Sequence, residues 1–538
     1  MSTPWRHTLA TLHLCAGTYL DEEYRRDILN EIYHQPDRAV APYAAADAAE
    51  VLRHAKRARG IDILQNIAVI LCELVFLAAA PLAALVTLAI LVEWQWLASV
   101  SKLYTDGIRL LRGSANVSPQ RLLARGMLLL LGTMTAVMAF LTAITFADVS
   151  TGLSAASALS DQLGLSALNF MLLAAIACAF AIIRRHNISE VPHTSATPDG
   201  GDGNLHRIHG GQFGDVVTYA DDNPFIGSGS ELRTWQFALP LRRADTPGVD
   251  DPEDPGFPHF DTVELTGHLK RELSRLAFPT PASYQLPDLH ITDVAFIAGV
   301  ETEGPVHRIA QLQRPDRRFT MDDVKRDPTT VLRHYLKCQV VAWDGEIVTT
   351  VYVHAALQGE TLYMEFSSFA LPPTRAEFHV FGDRTRVGGP AMALDAVRAF
   401  GHLPRIVGRA PINLARDCGD GLRALGHGSN TPRNPLAATD HGARVSVREL
   451  GTDLAAHNYF QRRDVVKYTR ILERQVLRTS VDFLRGKHVD TFEVDRRANT
   501  IINNGLIGTN RGSLNAGSGN TFRIGQQGDD NTQYGGSA

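Results

Sequence analysis

The chain has 538 residues, a formal net charge of -4 and a mean hydropathy of -0.08, ordinary for a soluble protein, so its apolar residues must be concentrated somewhere. The charge balance gives no basic face of the kind nucleic acid requires, and no nucleic-acid partner is expected. Five cysteines scattered singly offer no CxxC pair for zinc or redox chemistry and read as reduced and structural.

Residues 1–60 lack a secretory leader and read as a helical, cytoplasmic N-terminal region with Leu9, Leu12, Ile28 and Ile32 among charges. The apolar residues are concentrated in a transmembrane region, 61–184, with segments at about 63–80, 82–100, 127–147 and 165–183. About 20 apolar residues cross roughly 30 Å of hydrocarbon, and these runs approach or meet that length. Pro81 breaks the first stretch, making its two arms either a full two-span hairpin or a re-entrant one. Arg53, Lys56, Arg57 and Arg59 precede it, Lys102 to Arg125 is basic, and Arg184 and Arg185 close the last run, whereas the loop 148–164 has no base. Basic loops stay inside, so both termini are expected on the cytoplasmic side of the cell membrane, with the lipid bilayer as a partner. Glu73, near the middle of the first arm, is the one intramembrane polar candidate, because a charge there is costly unless protonated or paired.

Residues 185–204 read as a linker rich in Gly, Pro, Ser and Thr. An α+β cytoplasmic domain is expected over 205–450. Its signals are short strands at 216–219 and 234–241, an amphipathic helix at 263–276, and a meander at 335–343, 347–356 and 361–370. Asp344-Gly345 suits a type I′ hairpin turn between the first two strands of that meander. The run 391–416 reads as helical. A long amphipathic helix fills 451–498, its seam Val465, Tyr468, Leu472, Val476, Thr479 and Phe483 suited to docking on its own domain.

The search for chemistry finds little. Gly227-Ser228-Gly229-Ser230 lacks the Lys-Ser or Lys-Thr of a P-loop and reads as a turn, His206 and His209 have no ligand partners at metal-site spacing, and Asp250, Asp251, Glu253 and Asp254 read as a solvated loop. No catalytic, cofactor-binding or metal-binding residue is assigned, and no cofactor is expected.

The tail, 499–538, is rich in Gly and Asn, with β-prone pieces between turns. A candidate assembly segment comprises Ile501, Ile502, Asn503, Asn504, Gly505, Ile507, Phe522, Ile524, Gly525, Gln526, Gln527 and Gly528. A disordered tail or a small β-arch folded on its own domain is the alternative. This tail is loosely similar to Asn/Gly-rich bacterial amyloid-signalling motifs, with Ile524 to Gly528 similar to RHIM and curlin-type units but without the Gln before the RHIM Ile-Gly or regular curlin repeats. Asn223 to Gly229, the Trp235 to Leu241 strand and Thr500 to Gly505 resemble a group of multi-pass membrane proteins of actinobacteria, which implies no activity. The fold expected is therefore membrane α-helical plus an α+β domain and a Gly/Asn-rich tail. The function expected is non-enzymatic signalling or assembly through possible self-association or a protein partner at 499–538. The alternatives are an enzyme in the cytoplasmic domain, or a channel or transporter component using Glu73.

Overall fold

The computed structural model describes residues 8–111, 155–193, 202–242, 260–277, 285–300, 320–381, 389–426, 440–453, 456–507, 513–516 and 520–523. The expected segment 127–147, the acidic loop at Asp250 to Asp254 and the stretch Ile524 to Gly528 lie outside the described residues. In chain order the elements are α1 (Leu9–Leu20), α2 (Glu22–Ile28), α3 (Ala48–Ala79), α4 (Pro81–Leu111), α5 (Ala155–Glu190), α6 (Gly203–Gly211), β1 (Val216–Tyr219), β2 (Ser230–Pro240) and α7 (Thr262–Ser274). There follow β3 (Leu289–Ala298), α8 (Met321–Arg326), β4 (Arg333–Ala342), β5 (Ile347–Gln358), β6 (Thr361–Leu371), α9 (Gly389–Gly401), α10 (Leu403–Gly426) and α11 (Val447–Leu450). The last are α12 (Tyr459–Gly486), α13 (Phe492–Ile507), β7 (Ser513–Ala516) and β8 (Asn520–Arg523). Contacts divide the chain into a sheet unit, residues 1–56, 191–380 and 429–538, and a helical unit, residues 57–190 and 381–428.

The sheet unit is built on a six-stranded sheet of order β1-β3-β4-β5-β6-β2, antiparallel except for the parallel β1–β3 pair. Alternation puts Leu336, Cys338 and Val340 of β4, Val351 and Val353 of β5, Met364 and Phe366 of β6 and Phe237 of β2 on one face. There they meet Leu265 and Leu269 of α7, Leu472, Val476 and Leu484 of α12, and Val494 and Ala498 of α13. The seam foreseen on α12 is thus buried on the helix's own unit, and a capping box between Asn458 and Gln461 starts that helix. The other face carries Val217, Val294, Phe296, Tyr352 and Phe369, packed with Phe225, Ile226 and Ala443, and a second cluster in which Ala44 and Ala45 cover Val341, Val348 and Leu371. The N-terminal segment, read as a separate region, is therefore a layer of this unit.

In the helical unit, α3 ends at Ala79 and α4 starts at Pro81, the break foreseen there. Among the described residues, three helices are long and apolar enough to cross a membrane: Ala48–Ala79, Pro81–Ser99 and Asp161–His193. Helices α9 and α10, placed by sequence in the cytoplasmic domain, pack with these helices instead. Arg185 pairs with Asp395 at 3.6 Å, the Cys178 thiol donates to Ala396 O, and Phe400 meets Trp94 and Phe170 edge-on. After the turn at His402, α10 returns with Leu403, Val407 and Ala410 against Val69, Leu91, Leu173 and Ala177, and Asp417 closes on Arg59 at 3.1 Å. Glu73 is half-buried on α3, beside Cys72, whose thiol donates to Asn169 of α5.

Three sequence expectations are corrected. The linker expected over 185–204 begins later, because α5 continues through Glu190. The pieces around Ile501, Ile502, Asn503, Asn504, Gly505 and Ile507, expected as β-prone, are helical within α13, where Val494, Ala498 and Ile501 dock on the sheet core and override the local preference of Asn and Gly for turns. Phe522 does lie in a strand, in the hairpin β7–β8, paired with Leu514. The third correction concerns the β4–β5 turn. Ladder pairing stops at Ala342 and Ile347, so the connection is a four-residue loop with Trp343, Asp344 and Gly345 all at positive φ. That loop removes Glu346 from the ladder.

Candidate metal centre

Glu346 is swung by this loop into a buried pocket against α1. Its side chain is 5% exposed, and Oε1 accepts a hydrogen bond from Nδ1 of His13, which is 4% exposed, at 2.6 Å. Thr374, just beyond β6, donates its amide to Oε2 at 2.7 Å, and its hydroxyl lies 2.9 Å from both carboxylate oxygens. The same hydroxyl accepts from His379 Nε2 at 2.8 Å, and His379 Nε2 stands 3.7 Å from Glu346 Oε2. The rings of His13 and His379 stack with centroids 4.0 Å apart. Ligand atoms of His13, Glu346 and His379 all lie within 4.8 Å of one another, two imidazoles and a carboxylate from three distant parts of the chain.

Local structure explains the placement. Thr8 caps α1, and Thr8 and Ala10 are held against the strand turn, Thr8 through Ala45 O and Ala10 through its amide to Asp344 O. A short 3-10 turn, Ala376–Phe378, inserts Phe378 beneath α1 and brings His379 back over Thr374. Gly17 permits this approach: a Cβ there would lie 2.7 Å from the Phe378 ring. On the outer side His457 meets His379 edge-on with centroids 5.0 Å apart and donates to Asp453 at 3.1 Å.

Burial by itself would raise the Glu346 carboxyl, but the His13 hydrogen bond, the nearby Arg448 charge and the Thr374 amide outweigh it and hold its pKa at about 2. Burial, with His13 alongside, lowers the pKa of His379 and favours the neutral ring that a metal needs. Arg448, 2% exposed, backs the pocket by donating Nη2 to Glu346 O at 3.1 Å and Pro372 O at 2.8 Å.

A second carboxylate lies on the neighbouring residue. Glu449 Oε1 accepts the amides of Gly227 and Gly229, each at 2.9 Å. Both glycines have φ near +83°, and a Cβ on Gly229 would meet Ala370 O at 2.2 Å. The glycine-rich phrase is thus a turn, as read, but one shaped around a carboxylate. His206 is exposed, and His209 lies 3.8 Å from Asp47, which sequence spacing did not reveal.

Sequence reasoning assigned no metal ligand, and none of His13, Glu346 and His379 was singled out. Their only sequence signal was the Asp344-Gly345 turn that carries Glu346. No curated protein and no solved structure matches the chain. Glu346, Thr374, His379, Arg448 and Glu449 all fall within residues 234–516, the stretch, more than half of the chain, that matches the model of the AbeC-like domain, and the chain belongs to the AbeC-like domain family.

Proposed function

We propose that the sheet unit is the body of a metal-dependent enzyme in which His13, Glu346 and His379 hold a divalent transition-metal ion, and that the apolar helices anchor it to a bilayer. The observation that supports this reading is the convergence of two imidazoles and an ionised carboxylate within 4.8 Å. Such a donor set suits zinc or ferrous iron, and a bound ion of this kind acidifies a water molecule and polarises a carbonyl or phosphoryl oxygen.

The chain's own residues do the rest. Glu346 is already charged, so binding an ion costs no deprotonation of the carboxylate. The Thr374 amide and hydroxyl fix the orientation of that carboxylate, a restraint that typically changes metal affinity by about 10–100-fold when lost. His13 and His379 must each present a bare ring nitrogen to the ion in place of the N–H they now donate. His379 is the more exposed of the two and marks the side from which a substrate reaches the ion. His457, oriented by Asp453 on that side, is placed to accept a proton from water, which favours hydrolysis as the reaction class.

The test is metal reconstitution of the full chain in detergent, after EDTA treatment, with Co(II) followed by its visible absorption. One ion per chain is expected, with affinity falling at least about tenfold in His13→Ala and in His379→Ala. A folded wild-type protein that takes up neither Co(II), Zn(II) nor Mn(II) above background overturns the reading.

A further inference from the structure

Arg448 has a second side. Its Nη2 is satisfied by Gly345 O, Glu346 O and Pro372 O, but Nε and Nη1, although buried, have no hydrogen-bond partner. A guanidinium taken out of water in this way is costly, because each unmade bond to a charged donor forfeits its hydration. Arg448 lines a cleft between the segment 38–48 and the residues leading into α11. Arg38 lines the same cleft, and its Nη1 is likewise buried and without a partner. Arg444, exposed at the mouth, is the third guanidinium, and its charge together with burial lowers the pKa of Arg38. Among the described residues lining the cleft, Glu31 is the one acid, and it is exposed. The remaining walls are largely small apolar side chains, with Gln212 and Ser446 as polar members.

The geometry points to a binding site for a phosphate group in this cleft, held by Arg38, Arg444 and Arg448. Arg38 has Asp440, Glu31 and Asp221 in its field and Arg448 has Glu346 and Glu449, so it is the orphaned donors that call for this ligand: the planar fork of arginine pairs with phosphate oxygens through parallel N–H donors. A phosphate group offers several oxygens to the orphaned donors of Arg38 and Arg448. His13, Glu346 and His379 do not line this cleft, and the proposal does not depend on the metal reading.

The experiment uses the full chain in phosphatidylcholine nanodiscs with EDTA present, so that failure of the metal reading leaves it intact. Inorganic phosphate is titrated by calorimetry against a chloride background of equal ionic strength. Saturable binding is expected, weakened at least tenfold in Arg38→Gln and also weakened in Arg444→Gln, whose exposed position leaves folding untouched. Nanodiscs containing phosphatidic acid separate the two sources of the group: loss of the phosphate titration there assigns a lipid headgroup, and an unchanged titration assigns a soluble phosphate compound. No saturable binding by the folded wild type, or equal binding by wild type and both variants, overturns the proposal.

Discussion

Glu346 and Glu449 are both desolvated carboxyls within reach of the Arg448 charge, yet one is held at about 2 and the other is pushed up to about 7. Burial is the largest influence on each and acts in the same direction. The difference lies in the partners. Glu346 has an imidazole N–H, a hydroxyl and an amide, whereas Glu449 has two glycine amides on a single oxygen. Two neutral dipoles do not repay the lost hydration of a carboxylate, and a hydrogen-bonded imidazole with further donors does. A buried acid is therefore not one kind of object. The first is ready to hold a cation, and the second changes charge near neutrality.

The comparison can be broken at three points. The largest effect is expected from Glu346→Gln, about 3 kcal/mol at neutral pH, from the gap between an ordinary carboxyl and one at about 2. Because the folded pKa is depressed, this stability is present above about pH 4.5 and is lost as pH falls toward 2, so variant and wild type should converge in acid. Chemical denaturation across that range checks it. Gly229→Ala should cost about as much or slightly less, about 2–3 kcal/mol, because the new Cβ collides with Ala370 O in a positive-φ conformation. Its thermal midpoint reads the loss. Glu449→Gln should be opposite in sign and smallest in acid: its advantage over the wild type should grow by about 2.5 kcal/mol between pH 5 and pH 8. Here the folded pKa is raised, so the native carboxyl's contribution is full below about pH 4.5 and is lost as pH rises through 7. Melting curves at the two pH values decide it, and an equal effect at both would contradict the assignment.

Much of the sheet was legible because its periodicity is local. The meander at β4, β5 and β6 follows from alternation and the Asp344-Gly345 turn signal, and α12 from a seam that repeats within a single helix. β3 and α8 were missed: α8 is only six residues long, and the contacts of β3 to β1 and β4 are distant in sequence. α13 defeated its composition, since Ile501 belongs to a core assembled by residues hundreds of positions away. The metal pocket was illegible for the same reason. His13 and Glu346 are 333 residues apart, and a lone histidine in an apolar helix carries no mark of its partner. A four-residue loop where two residues were expected aims Glu346 inward, and turn chemistry alone does not distinguish those lengths.

The bond between His13 and Glu346 also constrains how the chain is threaded. Among the described residues, it joins a residue that precedes every helix long enough to span a bilayer to one that follows α5, as does the Tyr33 hydroxyl bond to Asp202. Both ends of each bond occupy one compartment, so a chain whose apolar helices cross a bilayer must cross it an even number of times between Lys56 and Val191. Any insertion or deletion that changes the number of crossings by one would strand His13 on the far side from its carboxylate.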